Sequence, residues 1–171
     1  LLVAKKLTKY DVKRLFFYNQ KTGDLMWLRP YGTTAKPGQI VGSSAVGAGY
    51  LLVKVKGVFY PVHRLAFLYM TGKHPEGEID HINGNKSDNR WENLRDVTHQ
   101  ENCKNQITPK SNTSGVIGVF FNKKINKWYA QKKIDYKNRY LGQSDDFFEV
   151  VCLRKSAEVK FGFHKNHGRA A

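Results

Sequence analysis

Residues 78–95 read Glu78-Ile-Asp-His-Ile-Asn-Gly-Asn-Lys-Ser-Asp-Asn-Arg-Trp-Glu-Asn-Leu-Arg95 (EIDHINGNKSDNRWENLR). The stretch is crowded with Asn and Asp around one His and has little that could fill a core. Glu78–Ile82 reads as a short strand, and Asn83-Gly84 is a strong turn signal. A polar loop then runs to Trp91, and Leu94–Val97 reads as a second strand able to pair with the first, with Ile79, Ile82, Leu94 and Val97 as anchors. Thr98-His-Gln-Glu101 has the form of a capping box and opens a helix bearing Asn102 and Gln106 on one face. The order is strand, loop, strand, helix.

This island is acidic in a strongly basic chain. The 171 residues carry 29 Lys+Arg against 14 Asp+Glu, a net charge of +15. Residues 1–77 hold 12 basic and 3 acidic side chains, residues 103–171 hold 14 and 5, and residues 78–102 hold 3 and 6. Such an excess points to a polyanion partner, and an acidic island between basic arms suits a cation held among phosphate contacts. Cys103 and Cys152 form no C-x-x-C pair, which excludes a Cys-type zinc site and predicts a reducing compartment. The opening Leu-Leu-Val-Ala-Lys-Lys is too short in apolar residues for a signal peptide, and no run reaches the roughly 18–20 residues of a membrane span. The expectation is a soluble, cytoplasmic protein with no membrane and no protein partner.

Upstream, residues 5–18 have helical spacing, Leu25–Leu28 reads as a strand, and residues 31–49 read as a long loop or irregular hairpin. Val53 and Val55 alternate with Lys54 and Lys56 before Gly57, a hairpin with a basic outer face. Val62–Thr71 lies between Pro61 and Gly72, start and stop signals for a helix whose first turn holds His63 and Arg64. Downstream of the polar linker 108–112, three alternating segments and a helix from about Asp145 to Phe161 complete an α+β chain. In the middle segment Trp128, Ala130, Lys132 and Ile134 share one face and Tyr129, Gln131 and Lys133 the other; alternation leaves open which meets a ligand. Residues 164–171 read as a frayed tail.

His63-Arg64, Asp80-His81-Ile-Asn-Gly-Asn, Asn89-Arg90, Glu92-Asn93-Leu94-Arg95 and Glu101-Asn102 resemble the HNH endonucleases of the phage and intron homing type. The resemblance implies a ββα-metal nuclease at 62–107, behind a basic β-rich region at 1–61. It implies a phosphodiester hydrolase acting on double-stranded DNA as monomer or homodimer and leaving 5′-phosphate and 3′-OH ends. His81 would be the general base, oriented by Asn93, while Asp80 and Asn102 would hold Mg²⁺ or Mn²⁺. An amide oxygen where many relatives have His favours such a hard cation. His63, Arg64, Arg95 and His99 would touch DNA. Ser114-Gly115, Gly118-Val119, Lys127-Trp128, Ala130 and Leu141-Gly142 resemble the ethylene-response-factor type of DNA-binding domain. That likeness implies a DNA-reading module at 113–163, with Trp128, Lys132, Lys133, Lys137 and Arg139 as contacts. The alternatives are an inactive DNA-binding regulator and a structure-specific or RNA nuclease.

Overall fold

A computed structural model describes residues 6–44, 49–134 and 137–169. The opening residues 1–5 and part of the expected 31–49 loop lie outside the described residues. The chain divides into two compact units, 1–99 and 100–171, and each is taken by itself.

The first unit begins with α1 (Lys9–Leu15). Its start is fixed by a capping box in which the Thr8 hydroxyl oxygen accepts from the Asp11 backbone N–H and Asp11 accepts from the Thr8 backbone. The helix stops short of the expected residue 18. Phe16–Tyr18 instead forms β1, buried–exposed–buried, paired antiparallel with β2 (Leu25–Trp27). Cross-strand burial of Phe16 against Trp27, rings 4.5 Å apart, outweighs the helical spacing. A short β3 (Ser43–Ser44) pairs with β4 (Leu51–Val55), which turns through Lys56-Gly57 into β5 (Val58–Pro61). Both turn residues have positive φ, the left-handed geometry that matches the strand twist. Helix α2 (Val62–Thr71) follows Pro61 and ends on left-handed Gly72, as the punctuation predicts.

Next, β6 (Glu78–His81) pairs antiparallel with β7 (Leu94–Val97), Asp80 opposite Arg95 and His81 opposite Leu94. A 3-10 turn at Trp91–Asn93 leads into β7, and α3 (His99–Cys103) follows it. The expected strand–loop–strand–helix order is present. The core of this unit draws on Val12, Phe16, Leu25 and Val55 as much as on Val62, Leu65, Leu68, Ile79 and Leu94. Elements α1, β1, β2 and β4 therefore share one hydrophobic core with the helix and hairpin that follow.

In the second unit β8 (Val119–Asn122), β9 (Lys127–Ile134) and β10 (Lys137–Ser144) form an antiparallel sheet in the order β10-β9-β8. Helix α4 (Phe147–Lys160) packs on it, with Val119, Ala130 and Val150 at the centre. Its N-cap is Asp146, whose carboxylate accepts from the Phe148 and Glu149 backbone N–H groups. Residues 164–169 of the expected frayed tail are tied down. His164 N–H donates to the Lys104 carbonyl, Gly168 N–H to Gln106, and Thr108 N–H to the Arg169 carbonyl. No described helix is long and apolar enough to cross a membrane.

Candidate active site

The short strand β6 carries Asp80 and His81 in succession, both buried within the first unit. His81 is 4% exposed, at the strand end where the polar loop begins. Its Nε2 lies 3.1 Å from Asn89 Oδ1, and Asn89 is the most deeply buried residue of that loop. The imidazole meets the His63 ring edge-on at 5.1 Å between centroids, and Tyr50 lies 4.9 Å from His63 and 5.8 Å from His81. Burial pushes the His81 imidazole below its usual value of 6.5, against the opposing pull of the Asn89 hydrogen bond and of the Asp80 and Asp88 carboxylates. Burial, reinforced by His81 and Arg64, takes His63 down to about 3. Both rings are therefore neutral near pH 7. His63, expected to meet DNA, has no cationic charge to offer a phosphate there and is packed in the core.

Arg95 faces Asp80 across the strand pair and is committed to it. Its Nε and Nη2 donate to the same Asp80 Oδ2, at 2.9 and 2.7 Å. Arg95, expected as a DNA contact, thereby anchors the acidic residue. His99 sits exposed, Nδ1 2.9 Å from Glu78 Oε1, and Arg64 is half-buried on α2.

Asn93 does not meet the His81 ring as expected. Its Oδ1 accepts from the Asn83 backbone N–H, its Nδ2 donates to the Asp88 carbonyl, and its own carbonyl accepts from Ile82 N–H. Those three bonds close the loop across the mouth of the hairpin. Asp88 finishes the job by accepting from Arg90 and Asn83; the Arg90 guanidinium holds its carboxyl down at about 2. Most of the Asn and Asp residues of the opening stretch therefore hydrogen-bond within the loop around the residues that could do chemistry.

Within the first unit Asp80 offers an anionic oxygen donor, the hard kind that suits a hard divalent cation. Asn102, expected to share that cation, lies on α3 in the second unit. Among the described residues no group of three or more His, Cys, Asp or Glu forms a metal cage.

On the second unit's sheet the expected contacts part company. Lys132 is 5% exposed, and its Nζ sits 3.8 Å from the Phe161 ring centre and 4.0 Å from that of Phe163. It faces α4 with Ala130, where no phosphate reaches it. Trp128 is half-buried against the edge of this unit's core, its ring 4.8 Å from Phe147 and 4.9 Å from Phe121. Lys133, Lys137 and Arg139 are exposed, as a phosphate contact requires; Lys133 stands opposite Asn138, while Arg139 and Lys137 stand opposite Lys132 and Ile134 on the other side of the strand pair.

Asn89, part of the motif but given no role by it, and Tyr50 and Tyr18, outside it, also belong to the site. Tyr50 lies 31 positions from His81, and no local pattern joins them.

Residues 60–104 match the HNH endonuclease family model. Protein 3.8 of Escherichia phage T7 is 40% identical over 82 residues, which covers 47% of this chain and 67% of that protein. No solved structure matches the chain.

Proposed function

We propose, from the premise that this chain carries an HNH endonuclease domain at residues 60–104 and belongs to the same family as phage T7 Protein 3.8, that it is a metal-dependent DNA endonuclease of the homing type. The observation that carries this reading is the His81 imidazole. It is buried, neutral near pH 7, fixed through one ring nitrogen, and next in sequence to the anchored carboxylate of Asp80.

In this reading His81 takes the proton from a water whose oxygen attacks the scissile phosphorus. A neutral imidazole is the form that can accept it. The bond from phosphorus to the 3′-oxygen breaks and that oxygen takes a proton from solvent water, leaving 5′-phosphate and 3′-OH ends. Asp80, aimed by the Arg95 fork, and Asn102 would hold Mg²⁺ or Mn²⁺. When bound, such a cation supplies charge neutralisation at the phosphate and at the departing oxygen. Asn93 keeps the loop closed so that His81 and Asp80 hold their places. Arg64 and His99 would meet the substrate backbone near the cut. Lys133, Lys137 and Arg139 would hold duplex DNA along the second unit's sheet, in the manner of an ethylene-response-factor module.

The chemistry is read out by sealing the product. A nick made in duplex DNA should be closed by DNA ligase without prior kinase treatment, because ligase needs a 5′-phosphate beside a 3′-OH. Nicks that ligase seals only after end repair would refute this hydrolytic course.

A further inference from the structure

We propose that Asn89, held from behind by the residue 18–24 segment, sets which nitrogen of the His81 ring carries the hydrogen and where the ring points. The proposal rests on His81 being the proton acceptor, as argued above. Asn89 would be a positioning residue, and the N-terminal segment would be part of the nuclease machinery.

Four contacts within the first unit support it. Asn89 Oδ1 lies 3.1 Å from His81 Nε2, in a buried setting. An amide oxygen only accepts, so this contact places the hydrogen on Nε2 and the lone pair on Nδ1. The Asn89 main chain is gripped in turn: the buried Tyr18 hydroxyl donates to its carbonyl at 2.6 Å. Two residues on, the Trp91 backbone N–H donates to the Gln20 carbonyl at 3.0 Å. Finally, the turn at residues 19–24 presses on the loop through Gly23. A Cβ there would stand 2.5 Å from Arg90 N and 2.6 Å from the Asn89 carbonyl carbon, and its φ is +81°. Only glycine lets the two backbones approach so closely. Asn89 is 1% exposed and its Nδ2 has no hydrogen-bond partner. A buried amide with one end unsatisfied costs stability, and the contact its other end makes with His81 gives that cost a functional reason.

The test uses the full chain, ¹⁵N-labelled at histidine, without metal and at a pH where the ring is neutral. Long-range ¹H–¹⁵N spectra report the tautomer directly, independent of cleavage. The wild type should show His81 as the Nε2–H form. Asn89→Ala should mix in the Nδ1–H form, whereas Asn89→Asp, which keeps an acceptor oxygen in place, should retain Nε2–H. Tyr18→Phe should shift the ratio as Asn89→Ala does, but less. In plasmid nicking, Asn89→Ala should lower kcat by about 10–100-fold with KM nearly unchanged, and Asn89→Asp should recover most of the loss. Should Asn89→Ala fail to fold, Asn89→Asp and Tyr18→Phe carry the test through their tautomer ratios. A wild-type ring in the Nδ1–H form, or an Asn89→Asp ring that loses Nε2–H, overturns the proposal. So does an Asn89→Ala protein with unchanged tautomer and kcat. If the tautomers behave as stated but the wild type never cuts DNA, the endonuclease reading falls and the positioning by Asn89 stands.

Discussion

Replacing Lys132 by Met should stabilise the protein at neutral pH and leave its DNA affinity alone. The Lys132 ammonium is buried with no hydrogen-bond partner, in the field of Arg154 and Lys104. Burial first, then those two cations, push it from 10.5 down to about 8. Keeping it charged below that value costs roughly 3 kcal/mol by the usual conversion. The Phe161 and Phe163 rings return about 1–2 kcal/mol of that as cation–π attraction. Met keeps the length and apolar stem of the side chain without the charge, so the net gain at pH 7 is about 1–2 kcal/mol. The sign follows from proton binding. Between 8 and 10.5 the unfolded chain holds more protons at this site than the folded one, so the wild type gains stability as pH rises through that window. The advantage of Lys132→Met should be full below pH 8 and fade toward pH 10.5. Denaturant melts at pH 7 and pH 10 measure it, beside DNA titrations at several salt concentrations. A variant less stable than wild type at pH 7 would refute this reasoning. So would a salt dependence of DNA binding weakened by one phosphate contact.

Three further outcomes follow from the same geometry. Because burial holds His81 below 6.5, the acid limb of the cleavage rate should fall at lower pH than for an ordinary imidazole, as a pH–rate profile would show. Replacing Lys133 and Arg139 together by Ala should weaken duplex binding and reduce the salt slope by about two; unchanged filter-binding isotherms would remove the second unit's sheet from the DNA interface. Chelation should abolish cleavage with little change in thermal unfolding, because the buried Ile79 and Leu94 hold the β6–β7 hairpin in the core. A collapse of the melting temperature on chelation would mark a structural metal instead.

How far the sequence could be read depended on the range of the forces involved. Helix α2 and the β4–β5 hairpin were legible because Pro61, Gly72 and the Lys56-Gly57 turn act within a few residues. The β6–β7 pair was legible because an Asn-Gly turn and two short apolar runs flank a polar loop. Phe16–Tyr18 was misread because helical spacing there competes with pairing to Leu25–Trp27, a partner outside any local window. The tail was misread for the same reason, since its hydrogen bonds reach back to residues 104–108. Lys132 shows a different failure. Alternation placed it correctly with Trp128 and Ala130, but its charge argued for solvent, and only the Phe161 and Phe163 rings explain how the core admits it. In the site, the motif drew attention to Asn93, yet the fold of the loop turns Asn89 toward His81 and spends Asn93 on closing the hairpin.

The central claim is that His81 drives metal-dependent cutting of duplex DNA, and supercoiled plasmid tests it most directly. Wild type with Mg²⁺ should convert the plasmid to the nicked or linear form, and chelator should stop it. His81→Ala should lose about 10²–10⁴-fold of the rate while still binding DNA. Cutting by His81→Ala at the wild-type rate, or a wild type that binds the plasmid and leaves it intact with Mg²⁺ and Mn²⁺ alike, would contradict the account.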